Sequence, residues 1–128
     1  SGELHWVRAG HDPGMLYRRG EDLFEELGGP GMALGVDPEW SYEIRRTVGL
    51  EEGDIVLLGT DGIWEAHDCE GDMFGKASVE KIVRDQAHQT AEAILEAVFA
   101  AVAKHACEKR LADDMTLIVL KIISKGND

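Results

Sequence analysis

Two acidic signatures lie at the edges of two short apolar runs. Thr60-Asp61-Gly62 closes a run that begins at Ile55, and Asp113-Asp114-Met115-Thr116 opens a run that begins at Leu117. Carboxylates that converge repel one another unless a proton or a cation joins them. A cluster made only of oxygen ligands favours a hard cation such as Mg²⁺ or Mn²⁺. The chemistry that these residues could perform is therefore metal chemistry.

The two apolar runs are the elements that must bring these carboxylates together. Short runs rich in Val, Ile and Leu are typical of buried strands, which predicts one strand over 55–60 and another after Asp114. If the strands are antiparallel neighbours, one ends beside the start of the other, about 5 Å away. Asp61 and Asp113 would then meet at one edge of a sheet. The alternative is that each aspartate only forms a turn at the end of a strand.

The rest of the pattern predicts an α+β domain, because strands are followed by two helices and a last strand. We expect a mostly antiparallel sheet with both helices packed on one face. The expected elements are a hairpin over 4–18, an irregular segment over 20–36, a strand over 42–48, and helices near 78–87 and 90–106, capped by Ser78 and Thr90.

Composition excludes some classes of function. The chain has 128 residues, enough for one domain, and 44% of them are hydrophobic. Its net charge of −12 argues against a nucleic-acid partner or an anionic membrane surface, since both require a basic face. No apolar run has the length of a membrane span. We expect a cytoplasmic protein in which Cys69 and Cys107 are reduced thiols rather than a disulfide.

Three further groups of residues have simpler interpretations. We interpret His11 as a hydrogen-bonding residue of its Gly-rich turn rather than a catalyst. The three tryptophans are expected to anchor the core and loops. The acidic stretch from Glu65 to Asp72 lacks the spacing of a calcium-binding loop, so it is interpreted as solvated acid.

Five short motifs occur along the chain in a fixed order. They are Ala9-Gly10-His11-Asp12-Pro13, Gly31-Met32-Ala33-Leu34-Gly35, Gly53-Asp54 through Thr60-Asp61-Gly62, Phe74-Gly75, and Asp113-Asp114-Met115-Thr116. In this order and spacing they resemble the PPM-type (PP2C-like) metal-dependent serine/threonine phosphatases, and the bacterial SpoIIE-like or RsbU-like branch fits best. The resemblance covers nearly the whole chain.

This resemblance implies a fold, a site and an activity. The fold would be a PP2C-like β-sandwich of antiparallel sheets flanked by helices, with metals at one end. Asp61 and Asp113 would be metal ligands, with Asp114 beside them. The activity would be hydrolysis of phosphoserine or phosphothreonine by a water that two Mn²⁺ or Mg²⁺ ions activate. The substrate would be a regulatory phosphoprotein such as an anti-sigma-factor antagonist.

The chain departs from the family pattern at the start. The first family signature, Asp-x-x-Gly-His-Gly, does not occur before Leu4, and Gly10-His11-Asp12 matches a later motif. We therefore expect residues 1–128 to form the C-terminal part of a phosphatase domain, with weak metal binding and no activity alone. Uncovered strands would favour a homodimer. The alternative is a non-catalytic phosphatase fold that binds a partner in bacterial signalling.

Overall fold

The computed structural model describes residues 2–29, 31, 33–107 and 114–123. Six strands and three helices lie within these ranges. In chain order they are β1 (Gly2–Trp6), β2 (Gly14–Arg18), β3 (Leu23–Leu27), β4 (Arg45–Leu50), β5 (Ile55–Gly59), α1 (Asp61–Trp64), α2 (Lys76–Gln86), α3 (Ala91–His105) and β6 (Leu117–Lys121). None of these helices has the length and apolar character that crossing a bilayer requires.

The strands form two antiparallel sheets. The larger has the order β3-β2-β5-β6, and the smaller pairs β1 with β4. The register of the central pair places Ile55 opposite Lys121 and Gly59 opposite Leu117. The prediction that the strands carrying the two acidic signatures are antiparallel neighbours is therefore confirmed.

Both long helices pack on one face of the larger sheet, as predicted. Val79 and Val83 of α2 and Ile94 and Val98 of α3 are fully or almost fully buried. They join a cluster with residues that alternate along the strands, namely Met15, Tyr17, Ile55 and Leu57. The main core thus forms between apolar residues at helical spacing on α2 and α3 and apolar residues at every second position of β2 and β5.

The other face of the larger sheet is only partly covered. Leu16 and Val56 pack with Leu50 of β4, and Leu4 and Trp6 of β1 contact this second core. The two sheets thus form a sandwich. The smaller sheet has two strands against four, and Leu58, Ile118 and Leu120 remain 37%, 48% and 48% exposed.

Two local predictions are wrong in this region. Residues 4–18 do not form a hairpin, because β1 pairs with β4 and β2 pairs with β3 and β5. The Gly-rich turn at 10–14 instead carries the chain from one sheet to the other. The segment 20–36, expected to be irregular, contains β3. The sequence of β3 shows no clear alternation of apolar and polar residues, because β3 is an edge strand with partly exposed side chains.

Helix α2 begins earlier than predicted, at Lys76, with Gly75 as its cap. Ser78 does not cap it, since its hydroxyl donates to the Phe74 carbonyl at 2.6 Å. Thr90 does cap α3, accepting a hydrogen bond from the Ala93 backbone N–H at 3.1 Å.

The prediction of two reduced thiols is also wrong in this structure. Cys69 and Cys107 form a disulfide, with their Cα atoms 4.8 Å apart. The reason is tertiary: the loop over 65–75 folds back on the end of α3, where the Cys107 backbone N–H donates to the His67 carbonyl at 3.1 Å. Sequence spacing alone gives no sign of this approach.

Candidate metal centre

The site is built where β5 ends and β6 begins. The Thr60 backbone N–H donates to the Thr116 carbonyl at 3.0 Å, and the Thr116 N–H donates to the Thr60 hydroxyl at 2.9 Å. These bonds continue the pairing of β5 and β6 by one residue, with the Thr60 hydroxyl as one of the acceptors. They hold the segment that leads into Asp61 next to the segment that follows Asp114.

Gly62 allows the two chain segments to approach more closely. A β-carbon added at this position would lie 2.5 Å from the Asp114 carbonyl oxygen, closer than real contacts allow. Only a glycine therefore fits between α1 and the start of β6. The close approach brings the backbone of Asp114 directly against the turn that presents Asp61.

The structure places Asp61 and Asp114 around one cavity of about 300 Å³. Both side chains belong to exposed residues, so the cavity opens to solvent. The remaining lining residues are Gly10, His11, Asp12, Thr60 and Gly62. Asp113, the other predicted ligand, lies outside the described residues.

Asp12 is a member of the site that the sequence interpretation missed. Its carboxyl group lies beside that of Asp61, and this contact is the main reason that the pKa of Asp61 lies above its ordinary value. Desolvation by neighbouring groups and the negative charges of Asp12 and Glu65 raise that pKa further, while His11 lowers it. A proton or a cation is needed to hold these two carboxylates together.

Strand order explains why Asp12 is there. Because β2 pairs antiparallel with β5, with Met15 opposite Leu57, β2 begins at the edge where β5 ends. Asp12 lies just before β2. The pairing of β2 with β5 would have indicated Asp12 as a site residue, but the predicted hairpin paired β2 with β1 instead.

The turn that presents Asp12 is held by its own contacts. Gly10 has φ +88°, and an added β-carbon would lie 2.8 Å from the Ala33 Cα atom. Arg8 donates from Nε to the His11 carbonyl at 2.7 Å. His11 in turn donates from Nδ1 to the Asp12 carbonyl at 2.8 Å, which agrees with its interpretation as a loop residue.

A second acidic group lies in the loop after α1. Asp68, Glu70 and Asp72 present oxygens that lie within 4.8 Å of one another. Asp68 Oδ1 accepts from the backbone N–H groups of Glu70 and Asp72, both at 2.9 Å. The bond from Asp72 contributes most to lowering the pKa of Asp68. This carboxylate organises the loop backbone, in line with the interpretation of the stretch as solvated acid.

An apolar groove of about 340 Å³ adjoins the acidic cavity. It shares His11, Asp12 and Thr60 with that cavity. Its apolar lining comes from both sheets and from the segment between β1 and β2: Trp6, Val7, Ala9, Leu27, Leu58 and Ile118. The groove lies where the smaller sheet stops covering the larger one.

Comparison with known proteins gives one family and several relatives. The family model described as Stage II sporulation protein E (SpoIIE) matches residues 1–123. The phosphoserine phosphatase RsbU of Bacillus subtilis (strain 168) is 28% identical over 119 residues, which are 93% of this chain and 35% of RsbU. The chain thus spans about a third of the length of that relative.

Solved structures agree on the fold. The PP2C phosphatase domain of SpoIIE from Bacillus subtilis, solved with a fragment of its regulatory domain, matches with a TM-score of 0.76 at 18% identity, over 98% of this chain and 36% of that one. The SiaA-PP2C domain of Pseudomonas aeruginosa matches with a TM-score of 0.74 at 27% identity, over 94% and 46%. The expected PP2C-like fold is confirmed, and the chain is part of such a domain.

Proposed function

Because the chain belongs to the Stage II sporulation protein E (SpoIIE) family, we propose that its whole protein is a metal-dependent phosphatase acting on phosphoserine or phosphothreonine. The substrate class is a regulatory phosphoprotein, such as an anti-sigma-factor antagonist. The chain supplies the C-terminal part of the catalytic domain, and the cytoplasm is the proposed location. One observation carries this proposal: Asp12, Asp61 and Asp114 line one open cavity at the same sheet edge.

The donor set fits a hard divalent cation. The acidic side chains of the cavity offer carboxylate oxygens, which suit Mn²⁺ and Mg²⁺. When both are ionised, the neighbouring carboxylates of Asp12 and Asp61 carry negative charge that a cation would neutralise. We propose Asp61, Asp113 and Asp114 as ligands, with Asp12 as a fourth carboxylate beside Asp61.

Each residue has a defined part in this site. When bound, two divalent cations would supply an activated water and neutralise phosphate charge. Asp61 and Asp114 offer carboxylate oxygens to the cavity, and the Thr60–Thr116 bonds hold together the chain segments that carry them. His11 orients the turn that carries Asp12. The exposure of the cavity admits a phosphorylated side chain that is still part of a protein.

Cation binding tests the site without any need for turnover. We expect isothermal titration of this chain with Mn²⁺ to show weak binding, since few carboxylates leave most ligand positions to water. Binding should be lost in Asp61→Asn and reduced in Asp12→Asn. It should also weaken as the pH falls, because a raised pKa makes protons compete for Asp61. Asp85→Asn, on the exposed surface of α2, is the matched control.

Two outcomes would count against this assignment. Unchanged Mn²⁺ binding in Asp61→Asn would remove Asp61 from the site. Submicromolar binding that is lost in both Asp61→Asn and Asp113→Asn would show that this chain holds a complete site, contrary to the weak site proposed here. Hydrolysis of a phosphoserine protein by the longer protein, abolished by Asp61→Asn, tests the activity itself.

We also propose that this chain pairs with a second copy through its uncovered sheet face. Leu58, Ile118 and Leu120 form an exposed apolar row, and the first two also line the groove. A stable dimer buries about 800 Å² per partner, and an uncovered apolar sheet face is the kind of surface that such contacts use. Sedimentation at several concentrations tests this: Ile118→Glu should shift the chain to monomer, and a wild-type chain that stays monomeric at high micromolar concentration would contradict it.

A further inference from the structure

The disulfide between Cys69 and Cys107 is a chemical group that the proposed activity does not use. It joins the loop over 65–75 to Cys107, which comes two positions after the end of α3. Cys69 belongs to a run of exposed residues from 69 to 73, whereas Cys107 is buried. A dissolved thiol can therefore reach the bridge from the Cys69 side.

Other contacts hold the same loop against α3 without the bridge. The Cys107 backbone N–H donates to the His67 carbonyl at 3.1 Å, and His105 Nε2 donates to the Asp72 carbonyl at 2.8 Å. The Phe74 and His105 rings meet edge to face, with centroids 5.5 Å apart. These contacts would keep the two sulfurs close after reduction. The bridge can thus re-form with the advantage of an intramolecular reaction.

The bridge also restrains the loop that follows Asp61. The Glu65 backbone N–H donates to the Asp61 carbonyl at 2.9 Å, and the loop with Cys69 continues from there. The Gly75 backbone N–H donates to the Trp64 carbonyl at 2.8 Å, which holds the end of this loop against α1. A covalent tie between Cys69 and Cys107 therefore restrains the loop that begins at the end of α1, directly after the turn that presents Asp61.

We propose that Cys69 and Cys107 form a reversible redox site for low-molecular-weight thiols and disulfides, and that its oxidised state strengthens cation binding at the Asp61 cavity. The coupling to the cavity rests on the proposed function, whereas the redox exchange does not. Disulfides of cytosolic proteins are usually transient and redox-sensing, which agrees with a bridge that is exposed on its Cys69 side and with the cytoplasmic location proposed above.

The exchange follows ordinary thiol chemistry. In reduction, a thiolate such as that of glutathione attacks Cys69 Sγ, and the Cys107 thiolate leaves and takes up a proton. A second glutathione thiolate attacks the mixed disulfide, releasing glutathione disulfide and the Cys69 thiol. The protein disulfide gains two electrons and two protons, while two glutathione molecules are oxidised to one disulfide. Oxidation is the same sequence in reverse.

The first experiment measures the exchange itself. The chain is equilibrated anaerobically in buffers of glutathione and its disulfide at ratios from fully reducing to oxidising. Free thiols are then alkylated and counted by mass spectrometry. We expect a single transition in which two thiols appear together and which is the same from either direction. In Cys107→Ser we expect a mixed disulfide with glutathione at Cys69.

Two results of this experiment would overturn the redox site. The first is a bridge that stays intact in the reducing buffers after a day, since it would then be permanent. The second is a pair of thiols that alkylate independently in the oxidising buffers, since they would then be too far apart to bridge.

The second experiment measures the coupling. Mn²⁺ titrations compare the oxidised chain with the same chain reduced, and circular dichroism verifies that both are folded. We expect Mn²⁺ to bind about fivefold more tightly to the oxidised chain, a coupling of ordinary size. The double variant Cys69→Ser/Cys107→Ser should bind like the reduced chain under both conditions.

The outcomes of the second experiment separate the two proposals. Equal Mn²⁺ affinity in the oxidised and reduced chains would overturn the coupling and leave the metal site intact. Absence of Mn²⁺ binding in both states would contradict the proposed function, and the coupling with it, while the exchange result would stand alone.

Discussion

Replacing Gly62 with alanine tests whether the close approach of two backbone segments builds the site. The new β-carbon would lie 2.5 Å from the Asp114 carbonyl oxygen and 3.3 Å from Met115 Cγ. Met115 is a flexible side chain and can move aside. The Asp114 carbonyl belongs to the backbone, so α1 and the start of β6 must separate by about 0.5 Å or more to relieve the contact.

The loss of stability in Gly62→Ala can be estimated from typical costs of overpacking and helix propensity. Overpacking a tight contact costs about 1–3 kcal/mol. Alanine is about 1 kcal/mol more favourable than glycine in the interior of a helix, but α1 has four residues and receives only part of this gain. We therefore expect the free energy of unfolding to fall by about 1–2 kcal/mol. The separation would also move Asp61 away from Asp114, so Mn²⁺ binding should weaken beyond what global stability explains.

Denaturant unfolding and Mn²⁺ titration together check this prediction. Gly28→Ala is the matched control, because a β-carbon at Gly28 has no neighbour within 4 Å and the residue has no positive φ. We expect that control to retain stability and Mn²⁺ affinity. Gly62→Ala with unchanged stability and unchanged affinity would refute the argument that the site depends on this close approach.

Three further perturbations test contacts elsewhere in the fold. Lys121→Met removes the ammonium group that donates to two carbonyls after α2, and denaturant unfolding should show a loss of about 2 kcal/mol. Asp54→Ala leaves the backbone N–H groups of Arg19 and Glu51 without their buried acceptor, with a similar loss of about 2 kcal/mol. The pKa of Asp22 in the folded protein is lowered, mainly by the Arg84 guanidinium. The contribution of Asp22 to stability is therefore present above pH 3.8 and is lost as the pH falls through the lower folded value. The thermal stability of Asp22→Asn should consequently be less sensitive to acid than that of the wild-type chain.

Strong local patterns were enough to predict the elements nearest the site. The two apolar runs and their bounding aspartates predicted β5, β6 and their antiparallel pairing, which places Asp61 beside Asp114. The apolar spacing predicted α2 and α3 and their packing on one face of the sheet. These predictions succeeded because each depends on a periodicity within one segment or on one pair of neighbouring strands.

The missed features depend on contacts between segments that are distant in sequence. The partner of β1 is β4, about forty residues away, and a turn rich in Gly and Pro looks the same whether it closes a hairpin or crosses between sheets. The edge strand β3 lacks a clear alternation because neither of its faces is fully buried. The approach of Cys69 to Cys107 follows from how the loop over 65–75 packs on α3, which no local pattern encodes.

The carboxylate cavity follows directly from the order of three strands. In an antiparallel sheet with β5 between β2 and β6, the end of β5 lies at the edge where both neighbours begin. One aspartate is placed at each of these positions: Asp12 before β2, Asp61 after β5 and Asp114 before β6. The fourth strand, β3, also ends at this edge but continues into Gly28 and Gly29, which have no ligand atoms in their side chains. At this end of the sheet, carboxylates therefore stand beside β2, β5 and β6, and none directly follows β3.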